Sequence, residues 1–330
     1  MTSILPSPAK KAWMELGYGM FIHFGPTTFT DCGWGDGRFP AENFNPKLLN
    51  PSQWTDVAVE AGMRYAVLTT KHHDGFCLWP SEYTEYSIKN SPGSPDIVGM
   101  FVDAFRKVDI KVGLYYSLWD RNYPQYNDDK LYALYMRNQM TELLTRYGDI
   151  LEIWFDGGWD KDHPTREWAF NPEWENDPKC GLYHGERWEW TELYNHIHLL
   201  QPDCLVVKNS SSDWPGTVRY HPVDIRTSEH FDFIYEEKER KPVIDPIFTL
   251  PDNSKEYLPF EFCTSLNPHW FWIEGSAYSH PSAETIFNWY RTARENGANF
   301  LLNIGPNKEG LIPDYHRKYL KKAARMMEDV

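Results

Sequence analysis

Eight short apolar runs recur along the chain, and nearly all of them close on polar side chains. They span residues 18–25, 65–73, 111–119, 150–158, 204–211, 225–231, 257–265 and 298–306. Between several of them the apolar positions return at the helical period, over 51–62, 95–109, 128–147, 190–201, 282–296 and 313–328. Short continuous apolar runs suit strands buried on both faces, and strand–helix alternation puts such strands in a parallel sheet under outer helices. Pro51-Ser52 and Pro281-Ser282 mark helix starts, since Ser caps free N–H groups and Pro tolerates the first turn. Eight strands with intervening helices in about 300 residues predict an α/β fold of the (β/α)8, TIM-barrel type rather than an open doubly wound sheet. No G-x-G-x-x-G or G-x-x-x-x-G-K-[ST] follows any of the runs, so no nucleotide-binding turn is read.

Two stretches break the rhythm. Residues 159–190 hold five Trp among many charges, directly after the fourth run. Residues 232–256 are charged and contain Pro where a sixth outer helix should lie. Loops of this length are functional or disordered more often than not, and the Trp content favours order in the first. No internal repeat or low-complexity tract appears. The expectation is one domain over 1–330, a barrel with a Trp-rich insertion.

Composition narrows the class. The 330 residues carry 33 Lys plus Arg against 47 Asp plus Glu, a net charge of −14. A nucleic-acid binder needs a basic face, so that partner is not expected. No apolar run approaches the ~20 residues of a membrane helix, so no membrane partner is expected either. With 16% aromatic residues, disorder is not expected. The 15 Trp point to flat, ring-shaped ligands or to large core fillers. The chain opens without a basic segment followed by an apolar run, and Cys32, Cys77, Cys180, Cys204 and Cys263 form no C-x-x-C pair. Reduced thiols and a cytoplasmic location are therefore expected. Asn209-Ser210-Ser211 fits a glycosylation sequon, which matters only for a secreted chain.

In a barrel, reactive groups sit at the C-terminal ends of strands. Here those ends present His23, Lys71-His72-His73-Asp74, Tyr115-Tyr116-Ser117, Trp154 with Asp156, Asn209, Glu229-His230 and Asn303. An apolar strand that closes on Asp156 must satisfy that carboxylate in a polar cavity or at a helix start. A partner carboxylate for acid–base chemistry has several candidates: Glu229, Glu236, Glu237, Glu239, Glu261 and Glu274. Metal ligation by His72-His73-Asp74, or by His196 and His198, is disfavoured, because adjacent strand residues and i, i+2 helix residues diverge. No G-x-S-x-G elbow supports acyl transfer.

Taken in order, FIHFG, W-G-D-G at 34–37, TTKHHDGFCLWPS, GLYYSLWDRN, EIWFDGG and NFLLNIGP-x-x-x-G-x-I-P resemble the α-L-fucosidases of glycoside hydrolase family 29 across nearly the whole chain. The resemblance implies a retaining glycosidase on a (β/α)8-like barrel, with no cofactor and no metal; the family's barrel is usually followed by a β-sandwich, and this chain is expected to be the catalytic barrel without one. It implies Asp156 as nucleophile, with His23, His72, His73, Tyr115 and Trp154 holding the fucose ring. Trp34 and Asp36 match the pattern of the subfamily that prefers branched α1,3/α1,4-linked fucose, as does Trp119-Asp120-Arg121-Asn122. Asp224-Ile-Arg-Thr-Ser-Glu229 resembles the segment that ends in the acid/base, and Trp270 falls where the family places an aromatic wall. VVKNSSS departs from the family where some members carry an Arg. The implied partner is a fucosylated oligosaccharide or glycoconjugate, and an oligomer is compatible with the pattern. Two alternatives stand beside hydrolysis of fucosides: α-L-galactosidase activity at the same site, and a silent fucose-binding barrel.

Overall fold

The computed structural model describes residues 4–31, 33–157, 186–209, 218, 220–229, 245–250, 252–275 and 280–328. All eight apolar runs form strands: β1 (Tyr18–Ile22), β2 (Tyr65–Lys71), β3 (Lys111–Ser117), β4 (Glu152–Asp156), β5 (Leu205–Asn209), β6 (Ile225–Glu229), β9 (Phe260–Ser265) and β10 (Asn299–Asn303). They close a barrel in the order β1-β2-β3-β4-β5-β6-β9-β10, with every neighbouring pair parallel. Helices α2 (Pro51–Glu60), α3 (Ile97–Lys107), α4 (Asp129–Arg146), α5 (Trp190–Leu200), α6 (Ala283–Glu295) and α7 (Asp314–Met327) match the periodic stretches. Asn50, Asp96, Asp128 and Ser282 accept backbone N–H groups at the starts of α2, α3, α4 and α6.

Two features depart from the periodicity. Between β6 and β9, the described residues form a short antiparallel hairpin, β7 (Ile247–Thr249) with β8 (Lys255–Tyr257), in place of a sixth outer helix. The apolar run at 257–265 is consequently split. Tyr257 ends β8, and Pro259, which has no N–H to offer a ladder, stands before β9 while its carbonyl accepts from Arg226. The second departure is helix α1 (Pro8–Leu16), capped by Ser7, which carries Trp13. That ring is fully buried, and its Nε1 donates to Glu152 Oε2 at 2.6 Å, closing the N-terminal end of the barrel. Most of 159–190 and of 232–256 lies outside the described residues. Among those described, no helix is long and apolar enough to cross a membrane.

Alternation along the strands divides the core. Phe21, Tyr65, Val67, Tyr115, Trp154, Val207, Ile225, Cys263 and Leu301 fill the barrel interior, while a larger cluster packs between strands and helices. Gly19 belongs to this packing. The Tyr65 ring lies across it, so an added Cβ would fall 2.5 Å from the ring. Gly19→Ala is therefore expected to destabilise the fold by about 1–3 kcal/mol through overpacking. Chemical denaturation checks this, and an unchanged midpoint contradicts the packing.

Candidate active site

Strand geometry gathers the polar ends on one face. Phe21 and His23 are two residues apart on β1 and its extension, and Trp154 and Asp156 are two apart on β4, so each pair points the same way. With Trp34, His72, His73, Tyr115, Glu229 and Trp270 they line one pocket, open at its mouth. Gly157 follows Asp156 at φ +70°, and a Cβ there would lie 2.9 Å from Ser117 Oγ. Only glycine lets the chain turn so tightly behind the carboxylate.

Asp156 is held from two sides. Tyr115 Oη donates to Oδ2 at 2.8 Å, and Asn209 Nδ2 donates to Oδ1 at 2.9 Å. About 14% of the Asp156 side chain remains exposed, toward the pocket. The Asn209 amide nitrogen also donates to Glu229 Oε1. Burial pushes the Glu229 carboxyl up to about 8, the charge of Asp156 adds to the rise, and Asn209 and Lys208 offset it only in part. The pocket therefore pairs a hydrogen-bonded carboxylate with a carboxylic acid that keeps its proton at neutral pH.

Hydrogen bonding fixes two imidazole tautomers. Ser117 Oγ donates to the Trp119 carbonyl at 2.7 Å, so at 2.7 Å from His73 Nδ1 it must accept. Asn303 Nδ2 donates to the Trp270 carbonyl, so its Oδ1 faces His23 Nδ1 as an acceptor at 2.8 Å. Both rings carry their proton on Nδ1 and leave Nε2 as a lone pair. Burial lowers His23 to about 4 and holds His72 and His73 well below their ordinary value, so all three are neutral at pH 7. His73 Nε2 stands 3.6 Å from Asp156 Oδ2. His72 Nδ1 is buried without a hydrogen-bond partner among the described residues. Ligand-type atoms of His72, His73 and Asp156 lie within 4.8 Å of one another, a spacing a cation could bridge. Without one, the same atoms offer acceptors to hydroxyl donors.

The walls are aromatic. Trp34 meets His73 edge-on at 4.8 Å and Trp119 at 5.7 Å, and Trp270 lies 5.1 Å from His23. Trp154 is fixed from below, where Glu261 accepts its Nε1 at 2.9 Å and the Tyr65 hydroxyl at 2.7 Å. Of the candidate second carboxylates among the described residues, only Glu229 lines the pocket. Glu261 is buried beneath it, Glu274 is exposed, and Glu236, Glu237 and Glu239 lie outside the described residues. Asp36 is exposed and accepts from the Arg38 backbone N–H, outside the pocket lining. Asp74 is buried and caps the Phe76 N–H, while His196 bonds Thr141 and His198 bonds Asp224, all away from the pocket. Two residues had no site role expected from the sequence: Phe21, which lines the pocket, and Asn209, which bonds two of the lining carboxyl groups. Phe21 was signalled by its i, i+2 relation to His23. Asn209 was visible only as a polar strand end, and its amide is engaged by two carboxylates, which puts the sequon out of reach of a glycosyltransferase.

A closed parallel barrel with a carboxyl pair and aromatic walls at its C-terminal face has its pocket where barrel enzymes carry their active sites. The chain belongs to the alpha-L-fucosidase family, whose sequence model matches residues 2–329. It is 34% identical over 333 residues to Alpha-L-fucosidase 1 of Arabidopsis thaliana, covering 99% of this chain and 61% of that one. It is 29% identical over 346 residues to the tissue alpha-L-fucosidase of Homo sapiens, covering 93% of this chain and 65% of that one. A crystal structure of a glycoside hydrolase 29 family member from an unknown rumen bacterium superposes with a TM-score of 0.78 at 30% identity, over 99% of this chain and 58% of the other. The chain thus spans about three fifths of the length of such relatives.

Nitrogen-15 NMR of the imidazoles at pH 7 is expected to show His23 and His73 neutral with the proton on Nδ1. A proton on Nε2 of either ring contradicts the assignment. Ser117→Ala removes the acceptor and is expected to release His73 into a mixture of tautomers while leaving His23 unchanged.

Proposed function

We propose that this chain is the catalytic barrel of a retaining exo-α-L-fucosidase that removes terminal fucose from glycans by double displacement. The observation that carries this reading is the shared Asn209 amide. Two carboxylate oxygens bonded to one nitrogen lie within roughly 6 Å of each other, close to the spacing of retaining rather than inverting glycosidases. In the first step an Asp156 oxygen bonds to the anomeric carbon as the glycosidic C–O bond breaks, and Glu229 gives its proton to the departing oxygen. In the second, Glu229, now a carboxylate, takes a proton from water. The water oxygen bonds to the anomeric carbon, and Asp156 leaves with its electron pair. Proton donor and nucleophile are both side chains, so the sequence of steps calls for no cofactor.

The neutral rings of His23 and His73, which line the pocket, suit sugar hydroxyls as hydrogen-bond partners. Phe21, Trp154 and Trp270 offer apolar faces to the ring and its 6-methyl group. Trp34 and Trp119 with Arg121, whose guanidinium stacks 4.8 Å over Trp119, form a rim suited to a branched leaving sugar. That rim supports a preference for α1,3/α1,4-linked fucose. Asp36, exposed on the Trp34 loop, would meet the leaving group rather than the fucose. Cys77, Cys204 and Cys263 are buried free thiols, which suits a reducing, cytoplasmic setting.

Asp156→Gly is expected to cut turnover of an aryl α-L-fucoside by several orders of magnitude, with azide restoring part of it as a fucosyl azide. Near-normal turnover in the folded variant removes Asp156 from the role. Glu229→Ala is expected to lose about 10²–10⁴-fold on a poor leaving group and much less on a good one. In the unaltered protein kcat/KM should fall as pH rises through about 8, where Glu229 gives up the proton it must donate. An equal loss on both leaving groups excludes Glu229 as the acid. Comparing kcat/KM for aryl α-L-fucoside and α-L-galactoside tests the apolar fit to the methyl group.

A further inference from the structure

Among the described residues, the side chain seen to hydrogen-bond both proposed reacting carboxylates is Asn209, the last residue of β5. Its amide is 2% exposed, with one hydrogen available to Asp156 Oδ1 and the other to Glu229 Oε1. Its own Oδ1 is buried with no partner among the described residues, so the amide is anchored chiefly through the two carboxylates. Neighbouring register supports the placement: β5 lies between β4 and β6, with Asn209 opposite Thr227, two residues before Glu229. An amide is the suitable group there. It supplies two donors and no charge, so it satisfies one carboxylate without displacing the proton of the other.

We infer that Asn209 is a positioning residue that holds Asp156 and Glu229 at the separation double displacement requires, and that it exchanges its stronger hydrogen bond between them during the cycle. The inference rests on the assignment of those two carboxylates made above. Before attack, the ionised partner is Asp156. Once Asp156 is bonded to the sugar and Glu229 has given up its proton, the ionised partner is Glu229. A donor binds more strongly to whichever oxygen carries charge, so one amide serves both states without moving far. Among the described residues, the groups facing Glu229 include Asp156 from β4, Lys208 and Asn209 from β5, Tyr115 from β3 and Cys263 from β9. Among them Asp156 raises the Glu229 carboxyl, while Asn209 and Lys208 lower it.

The test is a pH profile of kcat and kcat/KM on an aryl α-L-fucoside for Asn209→Leu, which removes both donors at similar volume, and for Asn209→Asp, which keeps the shape. Both are expected to lose on the order of 10²-fold in kcat, as for a reacting group displaced by about 1 Å, with KM little changed. Both should also move the alkaline limb to higher pH, because a donor to ionised Glu229 is gone. A purely structural role would lower activity without moving that limb. If the Leu variant does not fold, the isosteric Asp variant carries the measurement. Glu229→Ala is run alongside with a good leaving group. An alkaline limb that survives in Glu229→Ala overturns the acid assignment itself. A limb that vanishes there yet stays in place in the Asn209 variants, or a loss confined to KM, overturns the role of Asn209 alone.

Discussion

Closing eight parallel strands on themselves forces every second side chain into one interior with no other exit than the two ends. That constraint governs the rest of the molecule. At the N-terminal end the interior is stoppered by Trp13 and by two buried carboxyl groups, Glu152 and Glu261, whose hydrogen bonds go to Trp13, Tyr65 and Trp154. At the C-terminal end the same alternation delivers Phe21, Tyr115, Trp154, Asp156, Asn209 and Glu229 to a common space. The chemistry is a consequence of closure: side chains separated by up to about two hundred positions become neighbours because their strands do.

Burial then sets the protonation states. Withdrawn from water, a carboxyl group holds its proton and an imidazole sheds its own. Glu229 and the three pocket histidines follow that rule. Asp156 sits among the same groups but accepts hydrogen bonds from Tyr115 and Asn209. Two acidic side chains a few ångströms apart thus stand in different surroundings. The outer ties have the same logic: Ser117 and Asn303, which line no part of the pocket, decide which nitrogen of His73 and His23 faces the ligand.

Much of this was legible along the chain. Buried strands are continuous apolar runs, and all eight runs are strands. Four of the six helical stretches carry their own side-chain caps, and the ends of all six agree within two residues. The elements without a strong local signal were harder. Helix α1 is only nine residues long, and its single large anchor, Trp13, gains meaning from Glu152 across the barrel. The β7–β8 hairpin sits in a charged stretch whose composition resembles a loop. Family motifs brought His23, His72, His73, Tyr115, Trp154, Asp156, Glu229, Trp34 and Trp270 to notice, and the fold places all nine around one pocket. Asp36, carried by the same motif as Trp34, stands outside that lining because its carboxylate turns back to cap its own loop.

The sequence alone determined the order of strands and helices, the barrel they make and the end at which chemistry gathers, because these follow from local periodicity and from the rule that parallel strands share one polar rim. Tertiary structure decided which carboxyl groups meet. Glu229 and Glu261 are both inward-facing strand residues, and nothing in their neighbours along the chain says that one lies at the rim and the other a layer below it. It also decided the partners of Asn209 and the tautomers of His23 and His73. Those depend on distances of a few tenths of an ångström between residues far apart in sequence, which only the closed barrel fixes.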